Sequence, residues 1–130
     1  MLLDTSGLLC LHHRAETFHE EAVLHYRSSQ RRLTNSYVLA EYVALATARR
    51  LPRGATLEFI GHLLKSDIEV VWVDDALNQN ALTLLYERQD KSYSLCDAVS
   101  FVLMRQRNIT EALTTDHHFE QEGFRRLLAH

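Results

Sequence analysis

The chain has 130 residues, 46% of them hydrophobic and 24% charged, with one proline and four glycines; this suits one globular domain and leaves no room for separate cofactor and substrate domains. The formal charge is −3, from 14 basic and 17 acidic residues, which rules out a uniformly basic surface. No apolar run approaches the roughly 20 residues of a membrane span, and Met1-Leu2-Leu3-Asp4 lacks the basic region of a secretory signal, so a cytoplasmic protein with no membrane contact is expected. Along the chain, short β-rich runs alternate with longer amphipathic ones. The pattern predicts a strand over 1–4, helices over 6–13 and 17–29, and a short strand over 32–35. An apolar helix over 36–50 is broken by Leu51-Pro52-Arg53-Gly54, and another helix follows over 55–65. Then come a Val-rich strand over 68–73, helices over 74–89 and 94–107, a strand over 111–115, a short helix over 116–121 and a last strand over 124–128. Such alternation implies an α/β fold, a mostly parallel sheet with helices on both faces. In that architecture the functional groups gather beyond the carboxyl ends of the strands.

The two cysteines, Cys10 and Cys96, have neither zinc-ligand nor disulfide-framework spacing, and the eight histidines form no H-E-x-x-H pattern. Twelve of the fourteen bases are arginine. Arg49, Arg50 and Arg53 lie at the end of the 36–50 helix and are candidates for phosphate contact or a partner-facing surface; the plainer reading is solvation of a helix end.

Four acids stand out. Asp4 and Asp116 end predicted strands, where an N-cap is the simplest role. Asp97 lies three residues after Ser94, the spacing of a capping box. Glu41 has Tyr37, Val38, Ala44 and Leu45 as its helical neighbours, an apolar stripe in which a lone carboxylate is costly unless paired or metal-bound. The fold could bring all four to one edge of the sheet, and an oxygen-rich cluster suits Mg²⁺ or Mn²⁺ rather than zinc. Setting these four aside leaves 14 bases against 13 acids, or +1, on the rest of the chain.

The stretches Leu2-Leu3-Asp4-Thr5-Ser6, Thr34-Asn35-Ser36-Tyr37-Val38-Leu39-Ala40-Glu41, Asp90 to Phe101 and Ala112-Leu113-Thr114-Thr115-Asp116-x-x-Phe119 occur in this order. Together they resemble the PIN-domain ribonucleases, and within them the VapC toxins of prokaryotic toxin–antitoxin pairs. The resemblance implies a single PIN-like domain over residues 1–130 with a five-stranded parallel sheet in the order 3-2-1-4-5. It implies that Asp4, Glu41, Asp97 and Asp116 are the catalytic metal-binding acids, with Ser6 and Thr115 placing hydroxyls nearby. His117 and His118 flank Asp116 but are not required by the motif, and supporting or solvent-facing roles are expected of them. The implied reaction is Mg²⁺- or Mn²⁺-assisted hydrolysis of RNA to a 5′-phosphate and a 3′-hydroxyl, by in-line attack of water whose proton Asp97 or Glu41 could accept. The implied partners are an RNA substrate, a cognate antitoxin and a second copy of the chain. Tyr37, Tyr42, Leu57, Phe59, Ile60 and Leu63 exceed what one helical stripe would bury, so an apolar interaction surface is expected there. Two alternatives remain: a PIN-like domain that binds without cleaving, and a phospho-receiver module. The latter wants a second acid beside Asp4 and a lysine after a later strand, and here Thr5-Ser6 follow Asp4.

Overall fold

A computed structural model describes residues 1–129. The strands are β1 (Leu2–Leu3), β2 (Leu33–Asn35), β3 (Glu69–Val71), β4 (Glu111–Leu113) and β5 (Arg125–Arg126). The helices are α1 (Thr5–His12), α2 (His19–Ser28), α3 (Ser36–Ala48), α4 (Arg53–Lys65), α5 (Asp75–Glu87), α6 (Leu95–Gln106) and α7 (His118–Gln121). All strand pairs are parallel and the order is β3-β2-β1-β4-β5.

Period-two alternation divides the core between the sheet's faces. Leu2 and Ala112, paired in register, pack with Leu77, Ala81 and Leu84 of α5 and Val99, Phe101 and Met104 of α6. Their neighbours Leu3 and Leu113 turn to the other face, against Leu8 and Leu9 of α1 and Val38, Leu39 and Tyr42 of α3.

The paired strands are shorter than the expected runs. β1 stops at Leu3 because Asp4 already holds the N-cap position of α1. β3 stops at Val71, and the N–H of Val73 donates instead to Ser36 Oγ at 2.9 Å. At β5 the ladder outlasts the strand, since Leu127 N–H donates to the Ala112 carbonyl at 3.0 Å and Leu128 N–H to that of Thr114 at 3.2 Å.

Caps set where the helices begin. Asn35 Oδ1 accepts from the N–H groups of Tyr37 and Val38, starting α3 directly off β2. Ser94 and Asp97 make the expected reciprocal capping box on α6. At the far end of α3, Arg50 N–H donates to the Thr47 carbonyl and Leu51 N–H to that of Ala46, with Arg50 at φ 57°. That is a Schellman ending with arginine in the position glycine prefers.

The apolar surface expected on α3 and α4 is narrower than foreseen. Tyr42 and Leu63 are buried, and Tyr37, Phe59 and Ile60 are half-buried against the core. Leu57 remains exposed, joined by Leu64.

Candidate active site

The strand order reverses between β1 and β4, so the loops after these strands part and leave a crevice at their carboxyl ends. Asp4 follows β1 and Asp116 follows β4. Asp4 is 4% exposed. It sits at the N-cap of α1, yet its side chain makes no capping bond. It accepts instead from Thr114 Oγ1 at 2.8 Å. Because Thr114 spends its proton on Asp4, Ser6 Oγ donates to Thr114 Oγ1 at 3.1 Å. Thr115 N–H donates to Ser6 Oγ and Asp116 N–H to Thr114 Oγ1. A hydroxyl pair from α1 and the β4 loop thus locks the two acid-bearing turns together.

Burial pushes the Asp4 carboxyl up to about 7. The Thr114 bond works against that shift, while the charges of Asp97 and Glu41 add to it. Asp97, buried in the first turn of α6, accepts on Oδ2 from Ser94 N–H and from the His118 ring. Burial, then the nearby carboxylates of Glu41, Asp4 and Asp97, push the thiol of adjacent Cys96 upward.

Glu41 departs from expectation. It is exposed, not embedded in an apolar stripe. The buried face of α3 is Val38, Leu39, Tyr42 and Ala46, while Ala40 and Ala44 face outward with Glu41. Small alanines made the helix apolar in composition without burying that face.

A cleft of about 550 Å³ is lined by Asp4, Thr5, Glu41, Arg49, Thr115 and Asp116, among others. Asp97 is not among its lining residues, but its charge acts on Asp4. The arginines separate. Arg49 lines the cleft and pairs with Glu16 at 2.7 Å. Arg50 occupies the left-handed position after α3, and Arg53 begins α4, its Nη1 3.4 Å from Thr47 Oγ1.

Two residues near the acids, Thr114 and Thr5, were not singled out in sequence. Thr114 was hidden beside Thr115: two adjacent hydroxyls, of which alternation lets one face Asp4. Thr5 Oγ1 is buried and has no hydrogen-bond partner among the described residues. His118, for which a supporting or solvent-facing role was expected, contacts both Asp97 and Asp116. Ligand atoms of Asp116, His117 and His118 lie within 4.8 Å of one another.

The donor set of Asp4, Glu41, Asp97 and Asp116 fits a hard divalent cation, although among the described residues the group whose ligand atoms already lie within 4.8 Å of one another is Asp116 with the two histidines. The site is mainly carboxylate oxygen, it holds an orphaned hydroxyl, and like charges there raise the buried acid when no cation offsets them. The PIN domain family model matches residues 1–124. The chain belongs to the PIN-domain family. Among curated proteins, this PIN domain is 30% identical over 92 residues to the 23S rRNA-specific endonuclease VapC20 of Mycobacterium tuberculosis, covering 71% of this chain and 70% of that protein. Among solved structures it resembles crystalline Mycobacterium tuberculosis VapC20, described as a Sarcin-Ricin loop cleaving toxin. The TM-score is 0.86 at 27% identity, over 95% of both chains.

Proposed function

We propose that this PIN domain is a divalent-metal-dependent endoribonuclease and the toxin of a toxin–antitoxin pair. One observation carries the reading: the turn after β1, helix α3, helix α6 and the turn after β4 supply Asp4, Glu41, Asp97 and Asp116 to one end of the sheet, with buried Asp4 feeling the charges of Asp97 and Glu41. Asp4, Glu41, Asp97 and Asp116 would hold Mg²⁺ or Mn²⁺, which supplies charge neutralisation at the scissile phosphate. Thr114 and Ser6 keep the Asp4 and Asp116 turns in register. Glu41, exposed on the cleft wall, is the acid best placed to take a proton from an attacking water. Arg49, on the same wall, offers a cation to an RNA phosphate. Such hydrolysis leaves a 5′-phosphate and a 3′-hydroxyl and makes no use of the 2′-hydroxyl.

The similarity to VapC20 makes structured ribosomal RNA the first substrate class to test. A second copy of the chain and an antitoxin are the proposed partners, and the exposed Leu57 and Leu64 of α4 support an apolar contact. Among the described residues no helix is long and apolar enough to cross a membrane, and we place the protein in the cytoplasm.

Purified 23S rRNA, incubated with the protein and Mg²⁺ or Mn²⁺, should be cut at discrete positions to 5′-phosphate ends, and EDTA should stop it. Cleavage unchanged in excess EDTA, or products ending in 2′,3′-cyclic phosphate, would overturn the reading.

A further inference from the structure

We propose that His118 is a positioning residue that sets which oxygen of Asp97 faces the metal and ties Asp97 to Asp116; this rests on the metal-nuclease reading above. His118 opens α7, and its ring is largely buried, with the side chain 15% exposed. Its Nδ1 lies 3.0 Å from Asp97 Oδ2 and 3.5 Å from Asp116 Oδ2. Its Nε2 lies 3.2 Å from Ser92 Oγ, and its ring meets that of Tyr93 edge-on at 5.2 Å. Its backbone N–H donates to Asp116 Oδ1 at 2.9 Å.

An ionised carboxylate only accepts, so the Nδ1 that meets Asp97 carries the ring proton. In the neutral ring Nε2 is then the acceptor, and the Ser92 hydroxyl is the donor that meets it. The tautomer is fixed from both sides, as happens where an imidazole orients a neighbouring metal ligand.

Asp97 Oδ2 takes two donors, His118 Nδ1 and Ser94 N–H. Among the described residues nothing bonds to Oδ1, which is left as the oxygen for a cation. Without His118, the Ser94 N–H alone would resist rotation of the carboxylate. One residue thus holds Asp97 through its ring and Asp116 through its backbone, joining α6 to the turn after β4. Adjacent His117 differs: it is exposed, with Nδ1 3.7 Å from Asp116 Oδ1 and no such bond to Asp97 among the described residues.

The test titrates Mn²⁺ into wild type, His118→Leu, His118→Asn, Ser92→Ala and His117→Ala, reading free Mn²⁺ by electron paramagnetic resonance. Metal-free melting and RNA cleavage at saturating Mn²⁺ are measured in parallel. His118→Leu should bind Mn²⁺ about 10–100-fold more weakly. His118→Asn, whose amide can donate from the Nδ1 position, should recover most of that loss. Ser92→Ala should show a smaller loss in the same direction, and it reads the same role if His118→Leu does not fold. His117→Ala should bind as wild type, and KM for RNA should not change in the folded variants. Wild-type Mn²⁺ affinity in folded His118→Leu, or no recovery in folded His118→Asn, overturns the inference while leaving the nuclease reading intact. An equal loss in His117→Ala, or a strong imidazole-nitrogen coupling to bound Mn²⁺, would make the histidines direct ligands and overturn it too. Wild-type protein that binds no Mn²⁺ and cuts no RNA overturns the underlying reading, and the inference with it.

Discussion

The Asp4 carboxyl has a folded pKa of about 7 against an ordinary value of 3.8, with burial the largest cause. Between those values the folded chain keeps a proton that the unfolded chain has released. Metal-free stability therefore falls as pH rises through that window, and the whole penalty is present above it. Asp4→Asn removes the charge, and its amide oxygen can still accept from Thr114. With chelator present, the melting temperature of Asp4→Asn should exceed wild type by a margin that grows from pH 4 to pH 8. At 1.36 kcal/mol per unit, the gain reaches at most about 4 kcal/mol. Thermal melts across that range decide the matter, and a margin flat with pH would show that another group titrates. Mn²⁺ should then stabilise wild type and not the variant, and the variant should not cut RNA. In sequence a helix cap is the simplest role for Asp4; the absent capping bond and the Thr114 hydroxyl are what speak against it.

Helices α1 and α3 each carry a constraint at one end. Gly7 lies in the first turn of α1, where an added Cβ would come within 2.0 Å of the Leu113 carbonyl oxygen. That same carbonyl accepts from Asp4 N–H at 3.2 Å. Gly7→Ala must push α1 off β4 and move Asp4 with it. A loss of about 1–3 kcal/mol or more is expected, together with loss of cleavage; denaturant unfolding at wild-type stability would refute the close approach. Arg50 is the opposite case. Its φ of 57° strains a side-chain-bearing residue, so Arg50→Gly should raise stability by about 1 kcal/mol, less the added freedom of the unfolded chain. Should melting show no gain, the arginine side chain contributes something that outweighs the strain. The Ser94–Asp97 capping box was legible in sequence because its partners are three residues apart. The space around Gly7 was not, because the atom that fills it arrives from a strand near the other end of the chain.

For the molecule as a whole, the outward stripe of α4 is the clearest unpartnered apolar feature near the cleft-bearing helix α3. Leu57 and Leu64 are 48% and 47% exposed and lie seven residues apart, on one face. Leu57→Glu combined with Leu64→Glu should leave the monomer's fold nearly as stable, since neither side chain is core. It should weaken self-association, or capture of an antitoxin, by about tenfold or more if this stripe anchors the contact. Sedimentation velocity checks the first and titration calorimetry the second; unaltered association in both would assign the stripe to solvent.

Element order, the parallel sheet and the placement of acids at strand ends were readable from the chain alone. They rest on period-two and period-3.6 patterns and on caps, all of which are interactions between near neighbours. The resemblance carried by the four motifs supplied the strand order, which periodicity cannot rank. Tertiary structure decided the rest. It turned Tyr42 and Leu63 inward and Glu41 outward, chose Thr114 over Thr115 as the hydroxyl on Asp4, and set the His118 ring between Asp97 and Asp116. Asp4 and Thr114 are 110 residues apart, and Asp97 and His118 are 21 apart. A pattern along the chain shows which side chains share a face, whereas burial and hydrogen bonding depend on what packs against that face.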